Sequence, residues 1–273
     1  MTVLLTLDDL PACLLLAQDR GWPAEEGKWR LLFETGSVYG IRDDAGALVG
    51  TTVLTRHGAS FAVVSMVLVA TRCGGRGLGR RLMRQALDHA GDAVVFLYAT
   101  EQGRPLYEKL GFTTIGAVHT HLGPMAPADG PAGSRPATPA DLPAIAALDA
   151  ATFGADRGPL VRRLPDVLEQ LRVIDEQGSI TGYAGTWPSS RYTAVGPVVA
   201  QNAGDARTLI ADLARGTSGP LRLDLDDRRP DLHAWATGLG VPPRNTTAMM
   251  LRGAETLPGA RDHLFSPVMQ ALG

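Results

Sequence analysis

The 273-residue chain holds only two cysteines, Cys13 and Cys73, and they do not form a C-x-x-C pair. That excludes a disulfide framework or a zinc cage built within one chain, and it fits reducing surroundings. An excess of positive charge is missing as well. The formal net charge is −2, which argues against broad electrostatic attachment to nucleic acid or to an anionic membrane. The opening stretch, MTVLLTLDDLPACLLLAQD, has no basic leading region and is broken by Asp8, Asp9 and Pro11. Neither a secretory signal nor a spanning helix is expected, and cytoplasmic residence is. Two phosphate-binding signatures are also absent. No Lys follows Gly79, so there is no P-loop, and a G-x-G-x-x-G fingerprint starting at Gly77 would need glycine where Leu82 stands.

What is present points to two domains. The length exceeds the roughly 100–200 residues usual for one domain. Near the middle, GPMAPADGPAGSRP is crowded with Pro, Gly and Ala and has no apolar period, as expected of a linker. The chain therefore divides into 1–122, a linker at 123–134, and 135–273. On either side the sequence repeats itself at one offset: Thr6, Asp9, Leu10, Pro11 and Ala12 recur as Thr138, Asp141, Leu142, Pro143 and Ala144, 132 positions later. The same offset carries Asp43, Gly46 and Gly50 onto Asp175, Gly178 and Gly182, each set in a turn between two apolar runs that reads as a β-hairpin. Tandem duplication explains both matches, whereas a common helix start explains only the first.

In the first copy, periodicity predicts helices over 10–18 and 25–34, then strands over 38–42, 47–56 and 61–70 in an antiparallel meander. A helix is predicted over 77–90, with Leu78, Leu82, Met83, Ala86 and Leu87 as its apolar stripe and Arg80, Arg81, Arg84 and Asp88 on the wet side. A strand over 93–100, a helix over 104–112 and a last strand from TTIGAVHTHL complete a mixed α/β order.

The chemical signal lies where a buried strand runs through Gly74, Gly75, Arg76, Gly77, Leu78 and Gly79 straight into a helix. Glycines let the backbone approach a ligand and adopt positive φ, and first-turn amides with the helix dipole favour a phosphate. Taken alone, such a turn is equally a tight strand-to-helix connection. Further residues decide. VLVATRCGGRGLGRRLM, followed about 25 residues later by LYEKLGF, resembles the two core motifs of GNAT N-acetyltransferases. Gly77 and Gly79 fill the glycine positions of the family signature [QR]-x-x-G-x-[GA], while Gly74 stands where Gln or Arg is usual. Arg72, Arg76 and Arg80 are placed to supply the lost charge.

The resemblance implies two tandem GNAT folds, each a mixed, mostly antiparallel sheet flanked by helices, and acetyl-CoA as cosubstrate. Val67, Leu68 and Val69 would hold the pantetheine arm, and Gly75, Arg76, Gly77, Leu78, Gly79 and Arg80 the phosphates. Thr100 stands where many members carry a CoA-binding Asn, and Tyr107 falls on the general-acid position. The acceptor would be a primary amine, of a small molecule or a protein, that attacks the thioester directly in a ternary complex, on an enzyme that is a monomer or homodimer. Glu34, Glu101 and His119 are candidates for the base. A module that senses acyl-CoA without turning it over is the alternative. His119 and His121 face one side of a strand, but two ligands make no metal site, and no metal is expected.

Residues 135–253 resemble the C-terminal domain of bacterial two-domain acetyltransferases. There Gln201, Gly204 and Ala206 formally satisfy the signature, but Asn202, Ala203 and Asp205 replace the basic filling, and Asp205 would repel a phosphate. GLGV at 238–241 matches KLGF and puts Ala236 where the first copy has Tyr107, with Trp235 beside it. A degenerate copy is expected, with Trp187, Arg191 and Tyr192 as candidates for lining an acceptor pocket.

Overall fold

The computed structural model describes residues 2–127 and 132–273. They form two compact units, and the units do not follow the sequence copies. The first contains residues up to Thr113 together with Met250–Glu255 and Ala271–Gly273; the second contains Thr114–Met249 and Thr256–Gln270. Part of the sequence linker, residues 128–131, lies outside the described residues.

In the first unit, β1 (Thr2–Leu4), α1 (Leu10–Asp19) and α2 (Glu26–Thr35) precede a meander of β2 (Ser37–Arg42), β3 (Leu48–His57) and β4 (Phe61–Val69); α3 (Leu78–Ala90), β5 (Val94–Ala99) and α4 (Arg104–Glu108) follow. The sheet order is β1-β2-β3-β4-β5, with antiparallel pairs except for parallel β4/β5. The meander follows from its turn. Asp43 Oδ1 accepts from the amides of Ala45 and Ala47 at 3.1 and 2.9 Å, and Gly46 takes φ +81°, a conformation glycine adopts without cost. Along α3, Leu82, Met83, Ala86 and Ala90 are buried while Arg80, Arg81, Arg84 and Asp88 stay exposed. Leu78 and Leu87 lie at the edge of that stripe, half-buried. α3 reaches the sheet at Gly50, where a Cβ would come within 3.0 Å of Leu82 Cδ1. The helix expected over 104–112 stops at Glu108, because the amides of Leu110 and Phe112 turn back onto the carbonyl of Tyr107 and Gly111 takes φ +84°.

In the second unit come β6 (Thr113–Gly123), β7 (Arg135–Pro136), α5 (Leu142–Phe153), α6 (Gly158–Val161), α7 (Leu164–Val167), β8 (Gln170–Glu176), β9 (Ser179–Pro188) and β10 (Thr193–Val199). They are followed by α8 (Ala203–Arg215), β11 (Leu221–Asp226), α9 (Pro230–Gly238), β12 (Pro243–Arg252) and β13 (Leu264–Ser266). The strand order is β12-β6-β11-β10-β9-β8-β7, with β13 on β10. Its core joins Leu209, Ile210 and Leu213 of α8 to Leu221, Leu223 and Leu225 of β11 and to Phe265 of β13. Two segments cross between copies. β6, the last strand of the first copy by sequence, pairs with β11 from Val118↔Asp226 to Gly123↔Leu221. Met250–Arg252, the end of the second copy's last strand, belongs to the first unit, where Gly253 lies against Val94.

The repeated sequence features are repeated structures. Thr6 and Thr138 precede equivalent helix starts, their amides donating to Asp9 Oδ2 at 2.9 Å and to Asp141 Oδ2 at 2.7 Å. Gly46 and Gly178 both take positive φ in the matching hairpins. In the second unit Arg135 joins the two features, with two bonds of 2.8 Å to Asp141 and one of 2.7 Å to Asp175. The Arg135 guanidinium and the Thr138 amide hold the Asp141 carboxyl well below the usual carboxylate range. A lowered folded pKa contributes stability above the unfolded carboxylate value that is lost as pH falls through that range. Asp141→Asn is therefore expected to lower the melting temperature at pH 7 by roughly 2–4 °C, the effect of losing one cap. Between about pH 5 and pH 2, thermal melts of the variant are expected to fall off less steeply than those of the natural protein.

Candidate functional site

The site in the first unit begins with an irregularity in β4. Val53 pairs with Ser65 and Thr51 with Leu68, so one residue of β3, Thr52, faces two of β4, Met66 and Val67. This is a β-bulge. Met66 takes φ +49°, a left-handed conformation rare for a residue with a side chain. On its other side β4 pairs in parallel with β5 only at Phe61↔Val94, Ala62↔Val95 and Val63↔Phe96, although both strands run on. Past Val63 the strands diverge, leaving Val67 and Val69 half-exposed and Leu68 buried. A strand edge that leaves its neighbour has backbone groups to offer a ligand.

β4 then delivers the chain to the glycine turn. After a 3-10 turn at Thr71–Cys73, Gly75 and Gly77 both take φ +76°, with open space where a Cβ would stand. Gly79 is glycine for another reason: a Cβ there would meet Leu106 Cδ2 at 3.2 Å and Val69 Cγ2 at 3.8 Å. That contact places the end of β4, the first turn of α3 and α4 side by side. Gly77 is the N-cap of α3 and offers no side chain to its first-turn amides, which have no acceptor inside the helix. None of the turn's own backbone bonds uses the amides of Gly75, Arg76 or Gly77 as donors. The turn is held from outside. Asp19 Oδ2 accepts from the Thr71 amide at 2.6 Å, which keeps that carboxyl below its ordinary range. Asp43 Oδ2 accepts from Arg72 at 2.6 Å and is lowered in the same way. Arg72 is thus committed to Asp43, which leaves Arg76 and Arg80 as the exposed cations of the turn.

On α4 the Tyr107 ring is buried, edge-on to Phe112 at 6.1 Å between centroids. It lies against Gly103, where a Cβ would come 2.9 Å from the ring. Burial pushes the phenol up to about 12. The hydroxyl lies on the Gly103 side of the ring, 3.3 Å from where a Cβ at that glycine would stand. Thr100 is placed at the start of the same helix, its hydroxyl accepting from the Gly103 amide at 3.2 Å. Glu34 and Glu101 are exposed in the first unit. His119 lies on β6 in the second, with Thr246 Oγ1 3.0 Å from its Nδ1.

The second unit repeats the geometry with a different outcome. β9 and β10 shift register between Val195 and Val198, and the parallel β10/β11 pairing stops at Val195↔Leu223. Here the diverging strand is covered by β13, which pairs Val198 with Ser266 and Val199 with Leu264. Ser266 Oγ donates to the Val195 carbonyl at 3.1 Å, and the Ala200 amide donates to the His263 carbonyl at 3.0 Å. α8 also supplies its own cap, Asn202 Oδ1 accepting from the Asp205 amide at 3.0 Å. Ala236 is buried. Trp187 donates to the Val268 carbonyl at 2.9 Å, and the Tyr192 hydroxyl accepts from Arg222 at 2.9 Å, so both are engaged in packing within this unit.

Comparison with known proteins agrees with this doubled geometry. Two stretches, residues 34–114 and 145–266, each match a family described as "Acetyltransferase (GNAT) domain", and together they span most of the chain. The chain belongs to the GNAT acetyltransferases. It is a tandem GNAT acyltransferase, similar along its length to the uncharacterized N-acetyltransferase YitH of Bacillus subtilis, with 28% identity covering 95% of this chain and 94% of that one. A putative acetyltransferase from Pyrococcus horikoshii shares the fold at a TM-score of 0.84 and 16% identity, covering 100% of this chain and 95% of that one. A tandem GNAT protein of the clavulanic acid biosynthesis pathway does so at 0.64 and 17%, covering 92% and 97%.

Other features are structural. His121 is buried, its Nδ1 2.7 Å from the Val241 carbonyl and its Nε2 2.8 Å from His233 Nδ1, and burial lowers its pKa. Among the described residues no three His, Cys, Asp or Glu side chains are grouped to hold a metal ion. No helix there is long and apolar enough to cross a membrane. The most exacting contact of β13 is Phe265, 2% exposed in the core of the second unit. Phe265→Ala is expected to cost about 3–5 kcal/mol of stability, the range for emptying a packed phenylalanine site. Denaturant unfolding checks this, with hydrogen exchange at Val198 and Val199 expected to accelerate.

Proposed function

We propose that the first copy transfers an acetyl group from acetyl-CoA to a primary amine by direct attack in a ternary complex, and that the second copy is not a second catalytic centre. The observation that carries the proposal is the coincidence of three elements around Gly79. These are the strand edge at Val67, Leu68 and Val69, the uncapped amides running from Gly75 to Arg80, and Tyr107 on α4, the helix whose Leu106 lies against Gly79. In this reading the strand edge orients the pantetheine arm. The amides, with Arg76 and Arg80, take the pyrophosphate. Thr100 fixes the start of α4 by accepting from the Gly103 amide, and its own O–H remains a donor for the cofactor. The acceptor is an amine of a small molecule or a protein.

The chemistry asks for few groups. The neutral amine attacks the thioester carbonyl, a C–N bond forms, the C–S bond breaks with its electron pair on sulfur, and the amine loses one proton to a base or to water. A backbone amide of the diverging β4 edge is placed to stabilise the oxyanion. Tyr107 donates to the departing thiolate. At about 12 its hydroxyl stays protonated across the working range, while a thiol has a reference value near 8.5. Complete transfer from phenol to thiolate therefore runs uphill by roughly 3 pK units, so the hydroxyl works mainly as a hydrogen-bond donor to the developing charge. Membership of an acetyltransferase family favours turnover over the sensing of acyl-CoA alone.

Tyr107→Phe keeps the ring beside Phe112 and removes only the donor. It is expected to lower kcat by roughly 10²–10³-fold, the effect of deleting one donor to a developing anion, with melting temperature and acetyl-CoA affinity unchanged. Unchanged turnover on an accepted amine would leave the tyrosine a packing residue. Because its pKa is about 12, no fall in rate at lower pH is expected to disappear in the variant. Gly77→Asp tests the phosphate site. Position 77 has open space but sits at φ +76°, so the side chain brings some backbone strain, read as a lower melting temperature, while a carboxylate placed at the amides repels the pyrophosphate. Calorimetry is expected to give one acetyl-CoA per natural chain and at least about tenfold weaker binding for the variant.

A further inference from the structure

We propose that Thr51 is a positioning residue for acetyl-CoA, its hydroxyl holding the strand edge of the first copy in the form that can receive the pantetheine arm; this rests on the site assigned under Proposed function. Thr51 is fully buried, and its Oγ1 donates to the carbonyl of Met66 at 2.9 Å. That carbonyl belongs to the residue at φ +49°, the one extra residue that β4 carries against β3. A left-handed residue with a side chain is destabilising, and so is a buried carbonyl without a donor. The bulge therefore persists only where something satisfies it. Absorbing the extra residue would slip the strand by one, and a slip of one exchanges the faces of Val67, Leu68 and Val69. The strand could then run on beside β5, closing the edge that diverges after Val63.

The second copy provides an internal control. Its strands diverge at the matching place, and there too a buried hydroxyl donates to a carbonyl at the bulge, Ser266 Oγ to Val195 O at 3.1 Å. That hydroxyl arrives on β13, the segment covering the diverging strand. In the first copy it comes from the sheet itself, from β3. Thr51 thus does from within the sheet what Ser266 does from the segment that covers the diverging strand. A hydroxyl supplied by a strand already in the sheet is the condition for a bulge that is both stable and accessible.

Thr51→Val keeps the shape and removes the donor, and Thr51→Ser keeps the donor. Thr52→Val is the control, because Thr52 is equally buried but its hydroxyl lies 3.5 Å from the Ser65 carbonyl and meets no carbonyl of the bulge residue. Isothermal titration with acetyl-CoA is expected to give about a tenfold weaker Kd for Thr51→Val, with KM for acetyl-CoA rising in parallel and kcat for a saturated enzyme changing less. Thr51→Ser is expected within about twofold of the natural protein. Hydrogen exchange at the amides of Val67, Leu68 and Val69 is expected to change in Thr51→Val and not in Thr52→Val. If Thr51→Val fails to fold, Thr51→Ala, which leaves room for the strand to relax, takes its place. Natural affinity in whichever of these folds, or an equal loss in Thr52→Val, overturns the proposal and leaves Thr51 a stabilising residue. Absence of acetyl-CoA binding by the natural protein overturns the site assignment itself, a result separable from the first by the unsubstituted titration.

Discussion

One extra residue in a strand governs much of this structure. A parallel pair is held by regular backbone bonds, and β4 and β5 sustain them for only three residue pairs before a bulge on the far side of β4 turns the strand away. Once strands part, every backbone group along the gap needs another partner, because burying it unsatisfied is costly. The chain meets that requirement in two ways. In the second unit it lays its own β13 into the gap and bonds it there; in the first it fixes the bulge with Thr51 and lets the edge face outward. Acyl transfer needs the second arrangement, since a thioester arm can be gripped only by groups the protein has not already used.

The same contrast recurs at the two helix starts that follow. α3 begins at a glycine in the left-handed region and leaves its first-turn amides without a cap, whereas α8 begins at Asn202, whose side chain closes on the Asp205 amide. An uncapped start is the less stable one in isolation. In the first unit it is steadied by Asp19 and Asp43, which hold the turn at Thr71 and Arg72 without touching the amides of Gly75 to Gly77. The anchors sit at the turn's entry, on Thr71 and Arg72, and neither is bonded to Arg76 or Arg80.

Much of this was legible before any coordinates. The offset of 132 read from Thr6/Thr138 and Asp43/Asp175 corresponds to real repeats, matching helix starts and matching hairpins, because capping and turn chemistry are local and use few residue types. The glycine turn, with Gly75 and Gly77 at positive φ, was visible for the same reason, while Tyr107 was singled out only by the resemblance of LYEKLGF to the family motif. The bulge was not. FAVVSMVLV reads as an unbroken apolar strand, and nothing in it marks Met66, since the constraint that places it in the left-handed region comes from Thr51 on another strand. The partners of the last strand were equally hidden: the alternation of TTIGAVHTHL names a strand but serves any neighbour, and here the neighbour is β11. Arg72 looked available by spacing and is taken by Asp43, a contact formed across 29 positions by the fold. Tertiary pairing, which a one-dimensional pattern does not carry, decided each of these.

The exchange of terminal segments has a consequence for how the protein is made. The first unit includes Met250–Glu255 and Ala271–Gly273, so it is incomplete until those residues have left the ribosome. From β5 to residue 250 lies a stretch that takes on the order of ten seconds to translate at about 5–20 residues per second. During that interval the first copy exists without its final pieces, and its nascent sheet has an unguarded side of the kind that recruits stray strands. The wait sets a lower bound on the time between the birth of the glycine turn and the first moment at which the site around it can be whole. It also binds the folding of the two copies together, since residues 250–255 and 271–273, which follow the second copy's strands in the chain, belong to the first unit.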